Sequence, residues 1–289
     1  MREKHDKRVV ITVYSPKSQL ATPKSLMIRM WSDLLACREL AWRLTIRDIS
    51  ARYRQSVLGI LWAFIPPVLT SFIFIVLNNE GAIRIPQMNV PYPVFVIVGT
   101  VLWQLFVDSL NAPLRVVTSN KAMLVKVNFP REALILTAVA QVLFDFGIRA
   151  IILVAVFLIY GVSLSWSLLL AAFAVAMLMF LGIMIGTILT PLGILYTDIN
   201  NALVTFTGIW FFVTPVVYPV PEKWPYSILI NLNPVSPLLV TSRDLILGTP
   251  SGNHAAFIAV SALTLAGLLV MWVFYRVSIP IIAERIDSG

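Results

Sequence analysis

The chain reads as an all-α integral membrane protein: six transmembrane helices, an amphipathic interface helix before the first, and short re-entrant helices before the last. Three observations predict this. First, 58% of the 289 residues are hydrophobic and only 12% are charged, with a mean hydropathy of +0.86, whereas soluble domains carry roughly 45–50% apolar and about 25% charged residues. A soluble protein so poor in charge would expose large apolar patches, so a soluble enzyme is excluded first. Second, uncharged runs of membrane length recur along the chain. Third, Lys and Arg gather in the segments that would share one side.

Residues 1–24 are polar and basic, with no short apolar core before a small-residue cleavage site, so they read as a cytosolic tail and not a signal peptide. Residues 25–56 read as helix. Trp42, Ile46, Ile49 and Tyr53 recur at helical spacing among Arg43, Arg47, Arg52 and Arg54, the pattern of a helix lying along headgroups. About 20 apolar residues cross the roughly 30 Å hydrocarbon core. The spans are placed at about 57–77, 94–114, 133–160, 166–195, 199–219 and 255–275, all within a membrane domain of residues 57–285. The third and fourth come from a 48-residue uncharged stretch, Ala150 to Thr197, split at Gly161 to Ser165. Residues 221–247 hold apolar pieces too short to span, broken by prolines, and fit an interfacial or re-entrant element. Residues 286–289 are a tail.

Counted by side, eighteen basic residues lie with the termini and three (Arg84, Lys223, Arg243) lie opposite, which predicts cytosolic termini. The net charge of +8 is thereby a topology signal, and nucleic acid is not an expected partner.

Candidate functional residues follow from placement. Arg47, Arg52, Tyr53 and Arg54 sit at the headgroup level, as a simple membrane anchor or as receivers of a phosphate-bearing substrate, since guanidinium forms bidentate contacts with phosphate oxygens. Asn128, Phe129, Pro130, Arg131 and Glu132 put an aromatic beside a rigid turn in a basic loop, as a docking knob requires. Asp145 and Arg149, four apart in the third span, share a helix face and are expected to pair, with a proton relay or substrate contact as alternatives. Trp62, Phe206, Trp210, Phe211, Phe212 and Tyr218 suit lipid contact and packing, or a lining on which sugar faces stack. Gly182 and Gly186 permit close helix contact.

No Gly is followed by Lys, so the chain has no phosphate-binding loop. The single cysteine, Cys37, can form no disulfide within the chain, and no Cys/His cluster has metal-ligand spacing. The two histidines stand beside no nucleophile pattern. Nothing argues for catalysis in this chain.

The string Arg52-Tyr-Arg-Gln-Ser-Val-Leu-Gly-Ile-Leu-Trp62, with Pro66-Pro67 after it, resembles the start of the first span in permease subunits of ABC-2 type polysaccharide exporters, the group that moves O-antigen, capsule and teichoic acid. Asn128-Phe-Pro-Arg-Glu132, Tyr196-Thr-Asp198, Trp210-Phe-Phe-Val-Thr-Pro-Val-Val-Tyr-Pro219 and Leu232-Asn-Pro234 agree in order. The resemblance implies a homodimer of six-span subunits in the bacterial plasma membrane, enclosing a channel and served by two copies of a nucleotide-binding ATPase subunit. That subunit would hold ATP and Mg²⁺; this chain would hold no cofactor. It also implies that residues 128–132 couple to the ATPase, that residues 25–56 form the interface and gate, that residues 221–247 close the outer mouth, and that the aromatics line the path. The expected cargo is a lipid-linked polysaccharide, O-antigen first; teichoic acid, capsule, a simple lipid or a drug are the alternatives. Tyr196-Thr-Asp198 departs from the commoner Tyr-Arg-Asp. The rival class, a proton-coupled carrier using Asp145 and Arg149, would favour an inverted repeat, and none is visible.

Overall fold

The computed structural model describes residues 23–287, apart from 55, 84–87, 89, 128, 163–165, 222–229, 231 and 250–252. The expected N-terminal tail therefore lies mostly outside the described residues, as do Asn128 and much of the first half of the expected re-entrant region. Ten α-helices and a 3-10 turn are seen among the described residues, and no strand. They are α1 (Pro23–Ala36), α2 (Arg38–Arg54), the turn Gly59–Ala63, α3 (Ile65–Asn79), α4 (Tyr92–Ser119), α5 (Lys121–Lys126), α6 (Glu132–Tyr160), α7 (Ser167–Leu195), α8 (Asp198–Val213), α9 (Val235–Leu247) and α10 (His254–Asp287).

Four of these, α4, α6, α7 and α10, are long and apolar enough to cross a membrane. The two other expected spans are shorter helices than the sequence suggested. The run 57–77 is helical only from Ile65, with Pro66 and Pro67 in the first turn, where a missing N–H leaves no helical bond unmade. The run 199–219 is helical only to Val213, and Thr214 to Tyr218 are unwound ahead of Pro219. At about 1.5 Å per residue, helices of 15 and 16 residues reach only about 22–24 Å. The expected single interface helix bends at Cys37 into α1 and α2, although backbone bonds from Cys37 N to Asp33 O and from Ala41 N to Cys37 O, both 2.9 Å, carry through.

Helix α4 is the centre of the bundle. It packs most extensively on α7 and then on α6, and buries Val94, Val98, Leu102, Phe106 and Leu110 along its length. Glycine makes the α4–α7 contact close. A Cβ at Gly182 would stand 2.6 Å from the Ser109 Cβ, and one at Gly186 would stand 2.1 Å from the Leu110 carbonyl oxygen. The Gly182/Gly186 spacing read from sequence is thus a packing seam.

The ends of the bundle differ. At one end α1, α2 and α5 lie against the C-terminal parts of α4 and α10 and the start of α6; at the other, α9 packs on α4 and α7. Helix α2 faces the bundle with Ala41, Leu44 and Thr45 and leaves Trp42 and Ile46 exposed. The exposed stripe is what a helix lying in an interface presents to lipid.

Candidate functional site

Three sets of residues carry the chemistry singled out in the sequence. The first joins α2 to α6. Arg52 Nη1 donates to Asp145 Oδ2 at 2.9 Å, Arg52 Nη2 donates to Gln141 Oε1 at 2.9 Å, and the Tyr53 hydroxyl donates to Asp145 Oδ1 at 3.3 Å. Gln141 Nε2 in turn donates to Asp48 Oδ2 at 3.2 Å, while Arg47 reaches Asp48 and Asn120. The Arg52 side chain is 32% exposed and that of Asp145 6%, so the pair faces the surface through its cation. Burial and the Asp145 carboxylate push the Tyr53 phenol upward, keeping it a neutral donor. Arg54 is exposed.

This corrects the expected pairing of Asp145 with Arg149. Four apart on one helix, they turn to different neighbours: Asp145 to Arg52 of α2, and Arg149 to Asp108 of α4. Arg149 Nε also donates to the Ala63 carbonyl at 3.0 Å, satisfying the end of the 3-10 turn that precedes α3. The physical reason is reach. A buried guanidinium wants more than one acceptor, and a carboxylate one turn along its own helix supplies fewer than a carboxylate and a free carbonyl on two other elements.

The second set is the loop before α6. Phe129 is half-buried, packed against the cluster of Cys37, Ala41 and Ala133, and so is less of an exposed knob than the sequence suggests. Pro130 and Arg131 are partly buried. Glu132 is buried and pairs with Arg276 of α10 at 3.0 Å; Arg276 also holds Asp33 of α1 at 2.7 Å. One arginine thus ties α1, α6 and α10. Beside it the Cys37 thiol, with its Sγ 3.3 Å from the Leu34 carbonyl, is pushed up to about 11, chiefly by burial and then by the Glu132 carboxylate.

The third set lines a cleft of about 660 Å³ between α3, α4 and α8. Phe74, Trp103, Phe211 and Phe212 supply its rings, and Thr70, Thr100, Gln104 and Thr207 its polar groups. Phe74 and Trp103 meet Phe211 with ring centroids 6.0 and 5.8 Å apart. Ser71 and Thr100 share a hydrogen bond of 2.8 Å, which ties α3 to α4. The six aromatics named from sequence do not form one surface. Phe211 and Phe212 are in the cleft, Phe206 and Trp210 pack edge to face at 5.1 Å, and Trp62 lies outside the cleft and 57% exposed. Trp210 turns inward onto Phe106 and donates Nε1–H to Asn233 Oδ1 at 3.0 Å, and the Tyr218 hydroxyl folds back to the Phe212 carbonyl at 2.7 Å.

Residues the sequence reading left unassigned complete this region. Arg243 of α9, 2% exposed, donates Nη1 to the carbonyls of Pro215 at 2.8 Å and Val216 at 3.2 Å. The Tyr92 hydroxyl donates to the Val217 carbonyl at 3.1 Å. The available signal in the sequence is an arginine within a proline-rich apolar stretch.

Four membrane-length apolar helices packed about α4, with buried charges paired between helices at Arg149–Asp108 and Arg276–Glu132 and an aromatic cleft at one side, define a multi-pass membrane domain. The chain belongs to the ABC-2 type transporter family, whose profile matches residues 39–247. Among curated relatives, an O-antigen export system permease protein RfbA of Klebsiella pneumoniae is 28% identical over 255 residues, covering 85% of this chain and 95% of that protein. One of the same name from Myxococcus xanthus is 27% identical over 219 residues, 74% of this chain and 83% of that protein. The capsule polysaccharide export inner-membrane protein CtrC of Neisseria meningitidis serogroup B is 24% identical over 220 residues, 70% of this chain and 78% of that protein.

Proposed function

We propose that this chain is the membrane subunit of an ATP-driven exporter that moves a lipid-linked polysaccharide, O-antigen first, outward across the bacterial plasma membrane. The cleft between α3, α4 and α8 carries the reading. Its rings, with the partly exposed Thr70 hydroxyl and Gln104 amide at their side, suit a sugar chain, which stacks its C–H faces and hydrogen-bonds its hydroxyls. The relatives are named for O-antigen and capsule export.

On this reading α3 with its 3-10 turn, and α8 with its unwound end, complete a six-span subunit. The unwound backbone is supported by protein donors, as membrane depth requires. Within the region 221–247 expected to be re-entrant, α9 is the described part and closes the outer mouth. The subunit works as a homodimer with two ATPase subunits, which bind ATP and Mg²⁺, and both termini are cytosolic. Residues 128–132 dock on the ATPase, and movement of Phe129 passes to α2 through the cluster that contains Ala41. Arg47, Arg52, Tyr53 and Arg54 receive the anionic headgroup of the lipid carrier.

Deleting the gene tests the cargo. Surface polysaccharide should disappear while the lipid-linked polymer accumulates inside the cell; an unchanged surface polymer overturns the reading in favour of a simple lipid or a drug.

A further inference from the structure

The unwound segment at the end of α8 is held more firmly than its lack of helix suggests. Its residues Thr214, Pro215, Val216 and Val217 are all buried. At membrane depth each free carbonyl needs a donor, because no water is present to replace one. Arg243 supplies two and Tyr92 a third. Asn233, just before α9, adds a second tie: its Nδ2 donates to Thr214 Oγ1 at 2.8 Å, and its Oδ1 accepts from Trp210 Nε1 and from Val235 N, both at 3.0 Å. One amide side chain therefore joins the end of α8 to the start of α9.

The Arg243 charge is placed for this task. Asp244 stands 3.9 Å from its Nε, beyond hydrogen-bond reach. The guanidinium carbon instead lies 3.9 Å from the centroid of Phe95, at the start of α4. Carbonyl dipoles and a ring face hold the cation, and both belong to the elements it must join. Gly99 brings α4 in as well, since a Cβ there would lie 2.1 Å from the Val216 carbonyl oxygen. Ser167, opening α7, donates its hydroxyl to the Leu245 carbonyl of α9 at 2.8 Å. The opposite end of α8 has no comparable set of ties: Asp198, Asn200 and Asn201 are exposed, and Thr205 bonds only back to its own helix.

We propose that Arg243 is a positioning residue for transport: it welds the unwound end of α8 to α9 and α4, so that the cleft widens by α8 turning about residues 214–217 and not by α9 parting from α8. This goes beyond the assignment of cargo, because it concerns which backbone moves whatever is carried.

The test uses the chain reconstituted in proteoliposomes with its ATPase partner, in a Cys37→Ala background. Gly208 lines the cleft and has open space at its Cβ position, so Gly208→Cys is the reporter and a water-soluble maleimide the probe. ATP should raise its labelling several-fold. Thr214→Cys with Asn233→Cys, oxidised to a disulfide, should leave that ATP-dependent rise in place. A rise abolished by oxidation and restored by reductant overturns the proposal, and so does labelling indifferent to ATP before oxidation. Arg243→Gln should speed labelling without ATP, and Arg243→Lys, which keeps a charged donor, should restore the ATP dependence; equal behaviour of the two counts against a positioning role. Labelling does not depend on the cargo, so a chain that carries no polysaccharide still answers.

Discussion

Helices α7 and α8 follow one another in the chain, and each meets a proline near its end. Helix α7 runs 29 residues and keeps Pro191 inside it, whereas α8 stops after 16, with Pro215 just beyond. Proline removes one helical donor in both cases, so proline alone does not decide where helix ends. Helix α7 lies on α4 along a glycine seam and stays helical through Pro191. The end of α8 finds Arg243 and Tyr92 ready to donate to its carbonyls. A membrane helix can unwind where other side chains replace its bonds, and the unwound stretch then belongs to the elements that supply them. The bundle accordingly has a tightly packed frame of α4, α6 and α7, with α3 and α8 as thinner walls beside the cleft.

Substitutions can break that contrast, and the largest effect belongs in the frame. Asp108→Ala leaves Arg149 buried without its carboxylate, a loss of about 3–5 kcal/mol for a broken buried pair; the expected outcome is little assembled protein by detergent size-exclusion. Gly186→Val forces side-chain atoms onto the Leu110 carbonyl and should cost roughly 1–3 kcal/mol, read as a lower Tm. Full stability in either variant would remove the idea of a rigid frame.

Milder changes sharpen the contrast. Asp145→Asn frees a partly exposed Arg52, so stability should fall by only about 1 kcal/mol, while stimulation of the partner ATPase by lipid-linked substrate should change. Phe212→Ala, in the wall and 68% exposed, should leave folded yield unaltered and reduce export several-fold; equal losses would make the ring simple packing. The smallest effect is at Cys37. With its thiol pushed up to about 11 from 9.0, the thiolate fraction at neutral pH is about 100-fold below that of a free thiol, and maleimide should label it slowly. Because the folded value lies above the unfolded one, the stability linked to this group is complete below pH 9 and declines as the pH rises toward 11. Rapid labelling at neutral pH would show that α1 and α2 do not stay docked.

The parts legible in sequence are those that composition controls. The bounds expected for the third and fourth spans, 133–160 and 166–195, differ by one residue at their starts from α6 and α7, because long uncharged runs flanked by turn residues leave helix little alternative. The start of α3 is marked in the sequence by Pro66 and Pro67, although the uncharged run itself begins at Val57 and carries no boundary there. The ion pairs were not legible. Asp108 and Arg149 are 41 positions apart, and Arg52 and Asp145 93 apart, and periodicity within one helix carries no information about a neighbour's face. The same limit hid Arg243, which lies 28 and 27 residues from the two carbonyls it supports.

By itself the sequence determined a membrane protein of apolar helices, its two best-defined spans and the likeness to ABC-2 permeases, since hydropathy and local motifs are properties of contiguous residues. Only the tertiary structure decided which charges neutralise one another, which aromatics enter the cleft and where α8 lets go of its helix. Each of those depends on what a second helix offers at a distance of about 3 Å, and packing sets that distance.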